Sequence, residues 1–183
     1  YNTLNPQTST STGVGGGCNA PLAGESDGNY FFVLAPNIAK TTPVVFDATV
    51  TTTAGANGGL DLTLELQALA AADRMTPVEA PFTLGPVPVN ADGTFTWELG
   101  TVTLFAEANA ITGTEVDVEN LVLVGSMCAP AEFFCGNFSG MTSSGIALGG
   151  SSSFTFEKLE NPGEYPVDAA ITDCEGTTAP LPE

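Results

Sequence analysis

Residues 60–69, LDLTLELQAL, alternate without a break, with Leu60, Leu62, Leu64 and Leu66 on one side and Asp61, Thr63, Glu65 and Gln67 on the other. Only an extended strand has a side-chain period of two, so this stretch buries a leucine face and turns its polar face to solvent. The preceding VVFDATVTTT, residues 44–53, aligns Phe46, Ala48 and Val50 in the same way. Between them AGANGG supplies residues that accept a positive φ, which predicts a hairpin.

The same texture continues along the chain. NYFFVLA, residues 29–35, is a strand stopped by Pro36, and FTLGPVPV, residues 82–89, is an edge-like strand interrupted by Pro86 and Pro88. The Asp92-Gly93 turn leads into FTWEL and then TVTLF; EVDVENLVLVG (115–125), FCGNFSGM, SGIALG and SFTFEKL follow at short intervals. AADRM (71–75) and AEANAI (106–111) suffice for one helical turn each. With 21 Gly and 13 Pro as punctuation, the expectation is an all-β antiparallel β-sandwich, jelly-roll-like, formed as one domain by residues 18–183.

Residues 1–17, YNTLNPQTSTSTGVGGG, are a different material, with Leu4 and Val14 as their only aliphatic side chains. Alone they could not repay the entropy of being ordered. They are expected to form an extended N-terminal segment that leaves through GVGGG and adds as a donor strand to a neighbour's sheet, Leu4 and Val14 filling pockets there. The alternative is packing against the segment's own domain. No basic n-region and apolar h-region are present, so a secreted form is expected to have shed its targeting segment.

Charge narrows the function. Lys40, Arg74 and Lys158 are the only lysines and arginines, histidine is absent, and the formal net charge is -18. Such a surface repels phosphate within the Debye length, which argues against nucleic acid, anionic membrane and phosphorylated substrates. Without histidine there is no Ser/His/Asp or Cys/His triad, no imidazole shuttle and no ordinary zinc site. No apolar run approaches the ~20 residues of a membrane-spanning helix, so membrane insertion is not expected.

Cys18, Cys128, Cys135 and Cys174 are even in number and contain no CxxC pair, which predicts a disulfide framework in an oxidising, extracellular or cell-surface setting. The expected pairing is Cys128 with Cys135, closing CAPAEFFC, and Cys18 with Cys174, tying the start of the domain to its last segment.

The most pointed motif is Glu115-Val116-Asp117-Val118-Glu119. It resembles the E-[hydrophobic]-D-[hydrophobic]-E signature of the jelly-roll retaining glycosidases related to laminarinase and lichenase. The resemblance implies Glu115 as nucleophile, Asp117 as its tuner and Glu119 as acid/base. One Trp and three Tyr leave few aromatic platforms for sugar. The acids are also what the outer face of a half-buried strand carries, with Val116 and Val118 inside, and a non-enzymatic protein is expected. FCGNFSGMTSSGIALGGSSSFTFEKL, in the last third, resembles secreted or lipidated bacterial β-sandwich proteins of unknown function.

Oxygen-rich positions suit a hard cation, so Ca²⁺ is the cofactor considered: at Glu115, Asp117 and Glu119 first, then at Glu25 and Asp27, Asp61 and Glu65, or Asn90 and Asp92. None has EF-hand spacing. Asn137-Phe138-Ser139 is the sole N-x-S/T acceptor, and Met75, Met127 and Met141 are assigned to the core. The functional expectation is a structural subunit of an extracellular filament or tube whose partner is itself. A carbohydrate- or calcium-binding adhesion module that engages glycans is the alternative, and the Glu115/Glu119 glycosidase is the third.

Overall fold

The computed structural model describes residues 18–181. Eleven strands follow in order: β1 (Gly28–Ala35), β2 (Val44–Ala54), β3 (Leu60–Ala68), β4 (Phe82–Val89), β5 (Thr94–Leu104), β6 (Val116–Ser126), β7 (Phe133–Thr142), β8 (Ala147–Leu148), β9 (Ser153–Lys158), β10 (Ala169–Ile171) and β11 (Thr178–Pro180). All ladders are antiparallel, and the main sheet runs β4-β3-β2-β1-β9-β7-β6-β5 with β8 attached to β7. The antiparallel all-β sandwich expected from the sequence is present, its two layers being halves of this single rolled sheet. Strands lie beside their predecessors as in an up-and-down meander, where a jelly roll would cross over, and β9 closes against β1.

Alternation builds the elements. In β3 the four leucines are buried while Glu65 is exposed, and its register with β2 pairs Leu64 with Val50 and Leu66 with Ala48. The β2–β3 turn contains one 3-10 turn, Ala56–Gly58, with Asn57 at φ 53°. The stretches FTWEL and TVTLF form the single strand β5, which bends at Gly100 (φ 72°) through two register shifts against β6. AADRM and AEANAI each make a turn: the Arg74 amide donates to the Ala70 carbonyl (2.8 Å) and the Asn109 amide to the Phe105 carbonyl (3.0 Å).

The core is aromatic. Phe46, Phe32, Phe156 and Phe134 stand in register across β2, β1, β9 and β7 and stack in sequence, with centroid separations of 5.4, 4.1 and 4.5 Å. Phe95 and Trp97 of β5, stacked at 3.7 Å, meet this ladder edge-on. Such pairs add about 0.5–1.5 kcal/mol each beyond their burial. Met127 is buried in this core, whereas Met75 and Met141 are about half exposed, so the expectation that all three methionines are internal holds for Met127 alone.

A second, smaller cluster lies on the outer face. Phe31, Val33, Val45 and Leu69 point away from the barrel interior and are covered by residues 159–181, through Leu159, Tyr165 and Ala170. This strap folds into the β10–β11 pair. Its backbone is held by hydroxyls of β9, as Ser153 donates to the Thr172 carbonyl (2.6 Å) and Thr155 to that of Ile171 (2.7 Å). β1 is therefore covered on both faces.

The disulfides differ from the expected pairing: Cys18 bonds Cys128, and Cys135 bonds Cys174. Side-chain parity explains the second. Phe134 points inward, so Cys135 points outward, under the strap that carries Cys174. The first follows from where the chain enters. Cys18 and Ala20 donate to the carbonyls of Asp92 and Ala91, and Ala129 donates to that of Asn19, which lays residues 18–20 along the loop holding Cys128. Gly93, at φ 77°, belongs to this junction: a Cβ there would lie 2.5 Å from the Cys18 sulfur.

Candidate functional site

Residues 115–119 do not form a cluster. β6 begins at Val116, so Glu115 precedes the strand and is exposed; Asp117 is half-buried and Glu119 exposed. The Asp117 carboxylate accepts from Thr103 Oγ1 at 2.7 Å, and its amide donates to Ser143 Oγ at 3.3 Å. At Asn120 (φ 51°) the strand bulges, and the inward set shifts from Val118 to Leu121 and Leu123. Among the described residues no three carboxylate or cysteine side chains gather as a metal ion would need. The three residues expected as Ca²⁺ ligands, Glu115, Asp117 and Glu119, are thus not brought together. Successive same-face positions on a strand are ~6.6 Å apart, too wide for three to close on one ion without a loop to gather them.

At the other candidate positions the carboxylates serve local hydrogen bonds or line open surface. Asp27 accepts from the Thr52 amide (2.7 Å) and hydroxyl (2.8 Å), and Glu25 from the Leu22 amide. Asp92 is consumed in its own turn by the amide and hydroxyl of Thr94, whose hydrogen bonds hold its carboxyl below the usual range. Asp61, Asn90 and Asp92 line a shallow open depression of about 450 Å³ with Asn57 and Val89. Trp97 is fully buried and offers no sugar platform. Asn137 is exposed on β7, as its acceptor motif requires. Leu4 and Val14 lie outside the described residues, as does the whole expected donor strand.

The feature that stands out is the line where the sheet fails to close. β4 and β5 are the two ends of the sheet path, yet they are consecutive strands joined by residues 90–93 and so face each other. Three hydrogen bonds hold them beside the turn: the Asn90 amide donates to the Thr94 carbonyl and Trp97 Nε1 to the Pro88 carbonyl, both at 2.9 Å, and Asn90 Nδ2 to Thr94 Oγ1 at 3.0 Å. Beyond these, no ladder joins β4 to β5 among the described residues. Phe82 and Leu84 on β4 and Leu99 on β5, on the two strands that bound this seam, pack against the core and are half-buried. Pro86 and Pro88 remove backbone donors from β4, a device that blunts sheet edges.

Arg74, in the turn that AADRM forms, has a structural role that no local pattern signals. It is 1% exposed, and its guanidinium donates to the carbonyls of Val167 (3.1 Å), Ala179 (2.9 Å) and Pro180 (2.7 Å), pinning the strap. Burial lowers its pKa, but an arginine stays charged, here compensated by three aligned carbonyl dipoles. Nearby, burial and the Asp47 carboxylate push Tyr165 up to about 12. Its rarity in so acidic a chain was the one signal that could have flagged Arg74.

These features define an all-β, antiparallel domain with two disulfides, which fits an oxidising compartment. No helix among the described residues is long and apolar enough to cross a membrane. No family model, curated protein or solved structure matches the chain.

Proposed function

We propose that the chain is a non-enzymatic structural subunit of an extracellular or cell-surface assembly, in which the N-terminal segment of one copy adds as a strand to the sheet of the next. The observation that carries this reading is the unclosed sheet: a barrel-like roll whose two edge strands keep unpaired backbone groups. An unmade edge ladder is the usual template for strand addition. The filled aromatic interior supports a building block over a ligand carrier, since the apolar void at one end of the core, bounded by Val102, Leu121 and Phe138, is only about 20 Å³. Two disulfides and a clamped strap suit a part that must persist outside the cell.

Electron microscopy and light scattering of the purified full chain test the reading. Filaments or tubes are expected, and deletion of residues 1–17 is expected to leave a folded monomer. Assembly that survives the deletion would contradict it.

A further inference from the structure

We propose that the acceptor is the open part of the β4–β5 seam and that its occupant is residues 1–17 of a second copy of the chain; this rests on the strand-addition reading above. Both walls of the seam carry backbone groups with no ladder partner, which a strand laid alongside can pair. Phe82 and Leu84 on one bounding strand and Leu99 on the other are half-buried, and a strand laid between the walls would complete their burial. Generic edge pairing is obstructed at mid-seam by Pro86 on β4 and by the register shifts from Glu98 to Val102 on β5. What is left is a short acceptor, with Phe82, Thr83 and Leu84 on one wall and the exposed Thr101 on the other. Such a slot suits a sparse donor with few, well-placed aliphatics.

Residues 1–17 have that composition. Leu4 and Val14 are their only aliphatics and stand an even number of residues apart, so an extended strand shows both on one face. The point of departure also matters. Cys18 is fixed by Cys128 and by the Asp92 carbonyl at the closed end of its own seam. The Trp97–Pro88 and Asn90–Thr94 ties stand between that point and its own open half. Extended at ~3.3 Å per residue, the segment spans ~50 Å, which reaches a neighbour. Leu4, far from Cys18 in sequence, is the residue that seats between Leu84 and Leu99.

Cysteine cross-linking in the full chain tests this. With Leu4→Cys and Thr101→Cys together, mild oxidation of assembled material is expected to give a ladder of dimer and higher masses. Alone, neither substitution gives the ladder. A cross-link confined to monomer mass would mean that the segment fills its own seam, and overturns the proposal. The double variants Leu84→Asp/Leu99→Asp and Leu4→Asp/Val14→Asp, checked for native circular dichroism, are each expected to abolish assembly. If the second abolishes it while the first assembles normally and Leu4→Cys fails to reach Thr101→Cys, the acceptor lies elsewhere and the seam proposal falls, with strand addition intact. If Leu4→Asp/Val14→Asp assembles normally, the strand-addition reading itself falls.

Discussion

Arg74 holds the strap by charge-assisted hydrogen bonds to partners 93 to 106 residues away in sequence, a contact no local pattern announces. Replacing it with methionine keeps the aliphatic stem but strands three carbonyls. We expect Arg74→Met to cost about 2–4 kcal/mol, measured by urea unfolding. Glu157 gives a pH signature. It is half-buried, in register with Phe31 and Phe133, and burial raises its carboxyl pKa. A raised folded-state value means that its stabilising contribution is present below the unfolded carboxylate value of ~4.3 and lost as pH climbs through the folded one. Glu157→Gln should therefore be more stable than the parent at pH 7, the gain vanishing in acid below that window. Tyr165 behaves likewise at the alkaline end: ultraviolet titration should show a phenol ionising near 12 that disappears in Tyr165→Phe.

Strands are the scale at which the sequence is most legible, because alternation is a local property and each strand needs only itself to display it. FTLGPVPV coincides with β4 to the residue, and the alternating runs at 44–53 and 60–69 match β2 and β3 within one. Legibility fails where parity slips. The bulge at Asn120 reverses which residues of β6 face inward, and the bend at Gly100 makes two apparent strands one. β10 and β11 leave no legible alternation because each is three residues long and buries only an alanine, Ala170 or Ala179. The disulfide pairing is illegible for a related reason: Cys135 can be assigned to Cys174 only by knowing that a strap crosses the outer face of β7. Removing that bond with Cys135→Ser/Cys174→Ser, a sequence separation of 39, should cost about 4 kcal/mol by chain entropy. Limited proteolysis should then cut within 159–181 first. The aromatic ladder tests the core, where Phe156→Ala is expected to cost about 3–5 kcal/mol in thermal or urea unfolding.

At the scale of the molecule, a formal charge of -18 sets terms for any contact between copies. Like charges within a Debye length repel, so the proposed assembly should be slow at ~10 mM salt and accelerate toward ~150 mM, followed by light scattering. Assembly that weakens with added salt would instead point to a cationic partner. Connectivity was the part of the architecture that sequence could not supply, since a meander and a jelly roll use the same strands and differ only in which pairs meet. The two disulfides add a mechanical property. Tension applied between the two ends of the chain enters at Cys18, jumps to Cys128, follows CAPAEFFC to Cys135 and leaves through Cys174. Everything enclosed by separations of 110 and 39 residues is bypassed by this covalent route. While both bonds are oxidised, the barrel can lose its fold under load without paying out its contour length, so a string of such subunits would stretch little even where individual domains had given way.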